Sequence, residues 1–246
     1  MAFKKLFKFA SISVLSLVCL SSKIQATHNP QHIKDLDNLI NNVTPNNTGY
    51  VPGGPTQVTW AGFNGATAYT CFTDSSGLLN ALLNHTYGLS ATDFQNWLGT
   101  PRPFAQNYVL AIAGSNRFHQ IHNITEIKPG DILAIGYPPG VGDPGGDNGH
   151  ILVVEEAPTR SEQKKPIVHD TQQWIVHIAD CAVIGHGVKD TRYNGDGTFR
   201  MGVGRGTLRL YIDLHGNIVA YAWSRLEKNE YFMSTERPLV VGRLNF

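Results

Sequence analysis

Asp74-Ser75-Ser76-Gly77-Leu78-Leu79-Asn80-Ala81-Leu82-Leu83 is the stretch on which the reading of this chain turns. Asp74 is a capping residue, and Leu78, Leu79, Leu82 and Leu83 repeat at i, i+1, i+4 and i+5. The segment therefore predicts a buried helix that begins at Ser75, with Gly88 as its stop. A hydroxyl at the first helical position meets unpaired backbone amides and the positive end of the helix dipole. That setting stabilises negative charge on or beside it. Asp74, Ser75 and Ser76 are also simply good caps, so the stretch alone supports a structural reading as well.

Outward from this helix the chain changes character. Residues 27–66 are rich in Asn, Pro, Gly and Thr, with one amphipathic piece (Ile33, Leu36, Leu39, Ile40), and are expected to form an arm that wraps the core. A second helix is expected at 91–98, before Pro101 and Pro103. The apolar runs 108–113 and 118–121 are compatible with helix or strand. Lys128-Pro129-Gly130-Asp131 reads as a turn into a short buried strand at 132–135. After a Gly-, Pro- and Asp-rich loop (138–148), strands are expected at 150–155 and 174–180. A hairpin is expected around Leu214-His215-Gly216. One buried helix followed by antiparallel strands is an α+β pattern.

The first residues look like an export signal. Lys4, Lys5 and Lys8 precede an apolar run (9–20) that is short for a membrane span, and Ala26 offers a small residue for cleavage. The expected organisation is a signal at 1–26, the arm at 27–66 and one domain at 67–246. The product would be exported to the periplasm or the extracellular space, with no integral membrane segment left after removal of the signal. The formal net charge is only +1, and signal lysines account for more than that, so there is no electrostatic footprint for nucleic acid. Charged residues are 16%, while Gly (25) and Pro (13) are plentiful, which favours loops and strands over a helical bundle. Outside the signal the cysteines are Cys71 and Cys181, readable as a disulfide closing a loop of about 110 residues or as two buried thiols. The ten histidines show no zinc-type spacing, so no metal and no cofactor are expected.

Asp74-Ser75-Ser76-Gly77, then Lys128-Pro129-Gly130-Asp131, then Gly149-His150 heading an aliphatic strand, resembles the NlpC-type cell-wall peptidase family. In that family an Asp-Cys-Ser-Gly segment starts the nucleophile helix, a Pro-Gly-Asp turn follows, and the base is a histidine opening the next strand. The resemblance runs from about Thr70 to Asp180, and Asp180 falls where the family has a third, polar residue. It implies a papain-like core, with a helix packed on an antiparallel sheet, and cell-wall peptides or amides as substrate. Ser75 stands where the family has cysteine.

An alcohol does not ionise near neutrality as a thiol beside an imidazole can, so a serine needs its base aligned at the moment of attack. The expected catalytic set is Ser75 as nucleophile, His150 as base and Asp180 as orienting carboxylate, with the Ser75 amide in the oxyanion site. Asp74 and Arg192 are the expected substrate contacts, Arg192 because a guanidinium binds a carboxylate bidentately. Arg192 also belongs to a second polar group with His186, Asp190 and the glycines of 202–206, in which Asp190 and Arg192 read equally as the lock of a long loop beside the cleft. His177 is the rival to Asp180: strand alternation puts the two on opposite faces, so only one can face His150. Asp180 is preferred because its place at the strand end sets it near the mouth. The alternative is an inactive envelope protein that binds such ligands in the same cleft. Replacement of the missing thiol by Cys71, or a deliberate serine trap, are further readings of the same position.

Overall fold

The structure is a computed structural model and describes residues 29–141, 148–226 and 230–246. The expected signal at 1–26, and part of the loop at 138–148, lie outside the described residues. Four α-helices are present among them: α1 (Gln31–Asn42), α2 (Ser75–Tyr87), α3 (Ala91–Leu98) and α4 (Ala105–Ala113). The strands are β1 (Thr48–Tyr50), β2 (Gln57–Thr59), β3 (Thr70–Thr73), β4 (Phe118–Ile121), β5 (Ile132–Gly136) and β6 (Gly149–Val154). They continue with β7 (Thr159–Arg160), β8 (Gln172–Ala182), β9 (Gly202–Ile212), β10 (Ile218–Ala222), β11 (Tyr231–Met233) and β12 (Leu239–Leu244). The class is mixed α+β.

The main sheet is antiparallel along the order β11-β10-β9-β8-β6-β5-β12-β4, with β7 added against β8. Alternation along its strands sorts the side chains into two cores. Ile132, Ala134, Ile151, Val153, Ala179 and Cys181 point to the face covered by helices, where they meet Leu78, Leu79, Leu82 and Leu83 of α2. Leu133, Ile135, Leu152, Val154, Val176 and Ile178 point to the other face and pack with Leu208, Leu210 and Tyr221. The apolar run at 108–113 belongs to α4, and the run at 118–121 is β4. Tyr108 of α4 is fully buried, and its hydroxyl donates to Asn80 Oδ1 at 2.6 Å, tying α4 to α2.

The expected arm is built into the fold. Ile33, Leu36 and Leu39 of α1 are buried against the helix-side core. β1 pairs in parallel with β3, the strand that leads into α2. His32 Nε2 lies 2.8 Å from the carbonyl of Gly130, so the arm grips the Pro-Gly-Asp turn directly. That turn is closed by its own aspartate: Asp131 Oδ2 accepts from the Lys128 amide at 2.7 Å, and Arg243 Nε donates to Oδ1 at 2.8 Å. Cys71 and Cys181 are both free and buried. Contact with Cys71 and then burial push the Cys181 thiol well above its ordinary range, so both behave as core residues. No helix among the described residues is long and apolar enough to cross a membrane.

Because Leu82 is fully buried beneath the sheet, Leu82→Ala should lower unfolding free energy by about 2–5 kcal/mol. Leu110→Ala, at a position 64% exposed, should change it by no more than about 0.5 kcal/mol. Urea denaturation of the two variants beside the wild type checks the difference.

Candidate functional site

β6 and β8 pair only at Val153↔Ala179 and Val154↔Ile178, and towards the start of β6 they part. The amide of Val154 points away from β8, donating to the carbonyl of Asp131. By alternation the amide of Ile151 points towards β8, into the gap. The N-terminus of α2 enters there, and Ser75 Oγ accepts the Ile151 N–H at 3.1 Å in place of a strand carbonyl. Ser75 is the first residue of α2 and is 4% exposed. Among the described residues no hydrogen bond joins its hydroxyl to the His150 ring.

Asp74 fixes this helix end. Its Oδ1 accepts from the Gly77 amide (2.7 Å) and the Ser76 hydroxyl (2.8 Å), and its Oδ2 from the Gly53 amide (2.9 Å) and Arg102 (2.7 Å). Burial acts to raise the Asp74 carboxyl, but the Gly77 amide and Arg102 outweigh it and hold the group below its ordinary value. Asp74 is thus a buried cap and clamp, and the expectation that it touches substrate is corrected: its oxygens are taken up inside the protein.

Counting the register on from Val153↔Ala179 sets Leu152 opposite Asp180, with His150 two residues further on the same face. The structure brings that pair together: His150 Nε2 lies 2.6 Å from Asp180 Oδ2. His177, at an odd position of β8, does not join it. The carboxylate holds more than one imidazole. His186 Nε2 lies 2.9 Å from the same Oδ2, and Arg192 Nη2 lies 2.8 Å from Oδ1. Asp190 completes the cluster, accepting from Arg192 Nε (2.9 Å), from Arg192 Nη2 (2.8 Å) and from the His186 amide (2.7 Å). Asp180, His186, Asp190 and Arg192 are all buried.

Burial acts to raise the Asp180 carboxyl, but Arg192, His186 and the imidazole hydrogen bonds override it and hold it well below the usual carboxylate range. The ionised carboxylate accepts a proton-bearing Nε2 from His150, which leaves Nδ1 of the neutral ring with its lone pair. His186 differs. Its Nδ1 lies 2.7 Å from the Trp223 carbonyl while its Nε2 faces Asp180, so both nitrogens meet acceptors. A doubly protonated ring satisfies both contacts, and a neutral one satisfies a single contact.

Glycines make room for this cluster. Gly204 and Gly206 of β9 lie on the Asp180 face, since Gly204 pairs with Asp180 and Gly206 with Ile178. A Cβ at Gly204 would lie 2.7 Å from Arg192 Nε, and one at Gly206 would lie 2.6 Å from Asp190 Oδ2. The expectation that Arg192 binds substrate is corrected on the same ground. Its side chain is 3% exposed and is held by Asp180, Asp190 and the carbonyl of Gly202. It positions Asp180. Arg205 is likewise held internally, by Asp37 and Glu155.

His150 reaches a small cleft of about 180 Å³ whose walls include Tyr50, Tyr137, Ile184 and Trp223. The Trp223 ring stands edge-on to His150 at 4.8 Å and leans on His186 at 4.7 Å. Val183 and Ile184 at the rim are exposed. The cleft is therefore walled by aromatic and aliphatic residues, with His150 in its lining.

His150, Asp180 and His186 are also the one group of potential metal ligands among the described residues. Their spacing is that of hydrogen bonds. Two ligands of a tetrahedral zinc at about 2.1 Å stand about 3.4 Å apart, whereas these nitrogens lie 2.6 and 2.9 Å from the carboxylate oxygen. Arg192 adds a positive charge against the same carboxylate. The arrangement fits protons better than a cation.

His150, Asp180 and a polar group containing His186 were legible in the sequence, but the sharing of the Asp180 carboxylate by His186 and the part played by Trp223 were not. The available signal was the Gly202-Val203-Gly204-Arg205-Gly206 run, whose alternate glycines leave one face of a strand bare for something to lie on.

Over 196 residues the chain is 35% identical to the uncharacterized protein R653 of Acanthamoeba polyphaga mimivirus, covering 76% of this chain and 84% of that protein. The chain belongs to that protein's family. No protein-family model and no solved structure matches it.

Asp180 supplies a pH test. Its folded pKa lies below its ordinary value of 3.8, so its stabilisation is complete above that value and is lost as pH falls through the folded one. Asp180→Asn should cost roughly 3–5 kcal/mol near neutrality, because it leaves the buried Arg192 guanidinium without this counter-charge. The gap between wild type and variant should narrow as pH is lowered below about 4, in urea titrations run across that range. A gap that stays constant would show that Asp180 does not carry the linkage.

Proposed function

We propose that the protein is an exported hydrolase with a papain-like core that cleaves or transfers peptide or amide bonds of cell-wall peptides. Ser75 is its nucleophile, His150 its base and Asp180 the group that orients the imidazole. The observation that carries this reading is the 2.6 Å bond from His150 Nε2 to Asp180, with His150 in the lining of the cleft. A buried carboxylate locked by Arg192 and shared by two imidazoles is costly to assemble for stability alone. It is what a general base requires, since it selects the tautomer and stabilises the imidazolium formed during the reaction. The chain order also supports the kinship: a helix bearing Ser75, then a strand opening on His150, then a strand bearing Asp180.

In the reaction, Ser75 Oγ would bond to the substrate carbonyl carbon and pass its proton to His150 Nδ1. The imidazolium would then return that proton to the leaving amine, and water would release the acyl group by the same steps. The bond from Ile151 does not oppose this. Ser75 Oγ is the acceptor in it, so the hydroxyl keeps its own proton for donation, and the amide would stabilise charge on the oxygen as that proton leaves. The helix-terminal amide of Ser75 would serve the tetrahedral oxyanion.

A second reading is favoured by one observation. Ser75 is 4% exposed and already hydrogen-bonded to the sheet, which suits a protein that binds such ligands through Tyr50, Tyr137 and Trp223 without cleaving them.

A fluorophosphonate probe separates the two. The hydrolase should label at Ser75, and Ser75→Ala should abolish both labelling and turnover of muropeptides. His150→Ala should slow labelling by about 10²-fold or more. A protein that stays unlabelled, yet binds muropeptides and loses that binding in Trp223→Ala, would overturn the catalytic reading in favour of the binding one. Ser75→Cys should label with iodoacetamide at a rate that falls in Ser75→Cys combined with His150→Ala, if His150 acts on that position.

A further inference from the structure

The register of β8 with β9 sets Ile175 opposite Arg209 and His177 opposite Thr207, on the face away from Asp180. On this face lies a cavity of about 280 Å³, separate from the cleft at His150. Arg160, Lys164, Arg209 and Arg225 line it, and Glu162 is its acidic lining residue. Arg209 is 1% exposed. Its guanidinium is held by the main-chain carbonyls of Lys164, Lys165 and Arg225 and by the Tyr211 hydroxyl. Among the described residues neither Arg209 nor Arg160, Lys164 or Arg225 forms an ion pair with a carboxylate. A second cavity of about 220 Å³ shares Lys164 and Arg225 and adds Lys189 and the buried His186.

A buried guanidinium held only by neutral groups keeps its full charge, and it is strongly destabilising unless a counter-ion joins it. Here the charge is aligned in advance by carbonyls contributed from two separate segments, and further cations stand at the rim. Such an array is suited to a tetrahedral oxyanion, which accepts several charge-assisted hydrogen bonds at once. The volume suits a small ligand, being slightly under the common range of about 300–1,000 Å³ for ligand pockets. We propose that this cavity binds a small dianion of the phosphate type, either the free ion or a phosphate ester, at a site distinct from the His150 cleft.

Calorimetric titration of the full-length protein with inorganic phosphate and with glycerol 3-phosphate, at fixed ionic strength maintained with chloride, tests this. Saturable one-to-one binding is expected, with the tighter ligand naming the source. Lys164→Gln and Arg225→Gln, both at exposed positions, should each weaken it about tenfold. Lys34→Gln, an exposed cation outside the cavity, should leave it unchanged. The proposal is overturned by heats that never saturate, or by a loss in Lys34→Gln equal to that in Arg225→Gln, since either would reveal nonspecific charge screening.

Discussion

The carboxylate of Asp180 is the contact on which the arrangement of this protein's site depends. It is fully enclosed, and an isolated ionised carboxylate there would be strongly unfavourable. Three cationic or proton-donating groups converge on it from two segments: His150 from β6, and His186 and Arg192 from the long connection between β8 and β9. Each of those groups would in turn be a buried liability without it. Asp190 closes the circle by holding Arg192 through two nitrogens and the His186 backbone through its amide. The cluster works as one unit, and it fixes the orientation of the His150 imidazole that lines the aromatic cleft.

The sheet accommodates this through two departures from regularity. β9 gives up side chains at Gly204 and Gly206, so the connection carrying His186, Asp190 and Arg192 lies directly on the strand. β6 and β8 separate ahead of Val153 and Ala179, and the gap is filled by the end of α2, with the Ser75 hydroxyl completing the hydrogen bonding of Ile151. The same gap that would otherwise leave a buried amide unsatisfied therefore brings a helix terminus beside the strand that bears the base. Asp74 and Arg102 secure that terminus from behind, and the Gly130 turn and α1 hold the surrounding layer.

Much of the fold was legible because local signals agreed with one another. The leucine stripe after Asp74 specified α2 and its start, and the Gly88 stop follows from the same residues. The amphipathic piece at 33–40 became α1, and the turn at Leu214-His215-Gly216 joins β9 to β10. The run at 108–113 stayed ambiguous because Val, Ile and Ala in succession serve a buried helix as well as a strand, and packing against β5 and β12 selected the helix. In the site, alternation let only one of His177 and Asp180 face His150, and the position of Asp180 at the strand end favoured it; both signals are local. Arg192 was read as a ligand contact because a guanidinium binds carboxylates bidentately, beside the reading that it and Asp190 lock a long loop. What encloses it, Asp180 and Asp190 over a bare strip of β9, comes from pairing across the sheet.

The sequence by itself determined the α+β class, the helix that begins at Ser75, the strands that carry His150 and Asp180, and the opposite faces of β8 taken by His177 and Asp180. These follow from capping, periodicity and alternation, which act over a few residues. Only the tertiary structure decided that one carboxylate would serve two imidazoles and a guanidinium, that Ser75 would hydrogen-bond the sheet, and that Arg209 would be buried without a counter-charge. Those outcomes depend on strand register and on where β6 and β8 part, and both are fixed by packing between segments far apart in the chain.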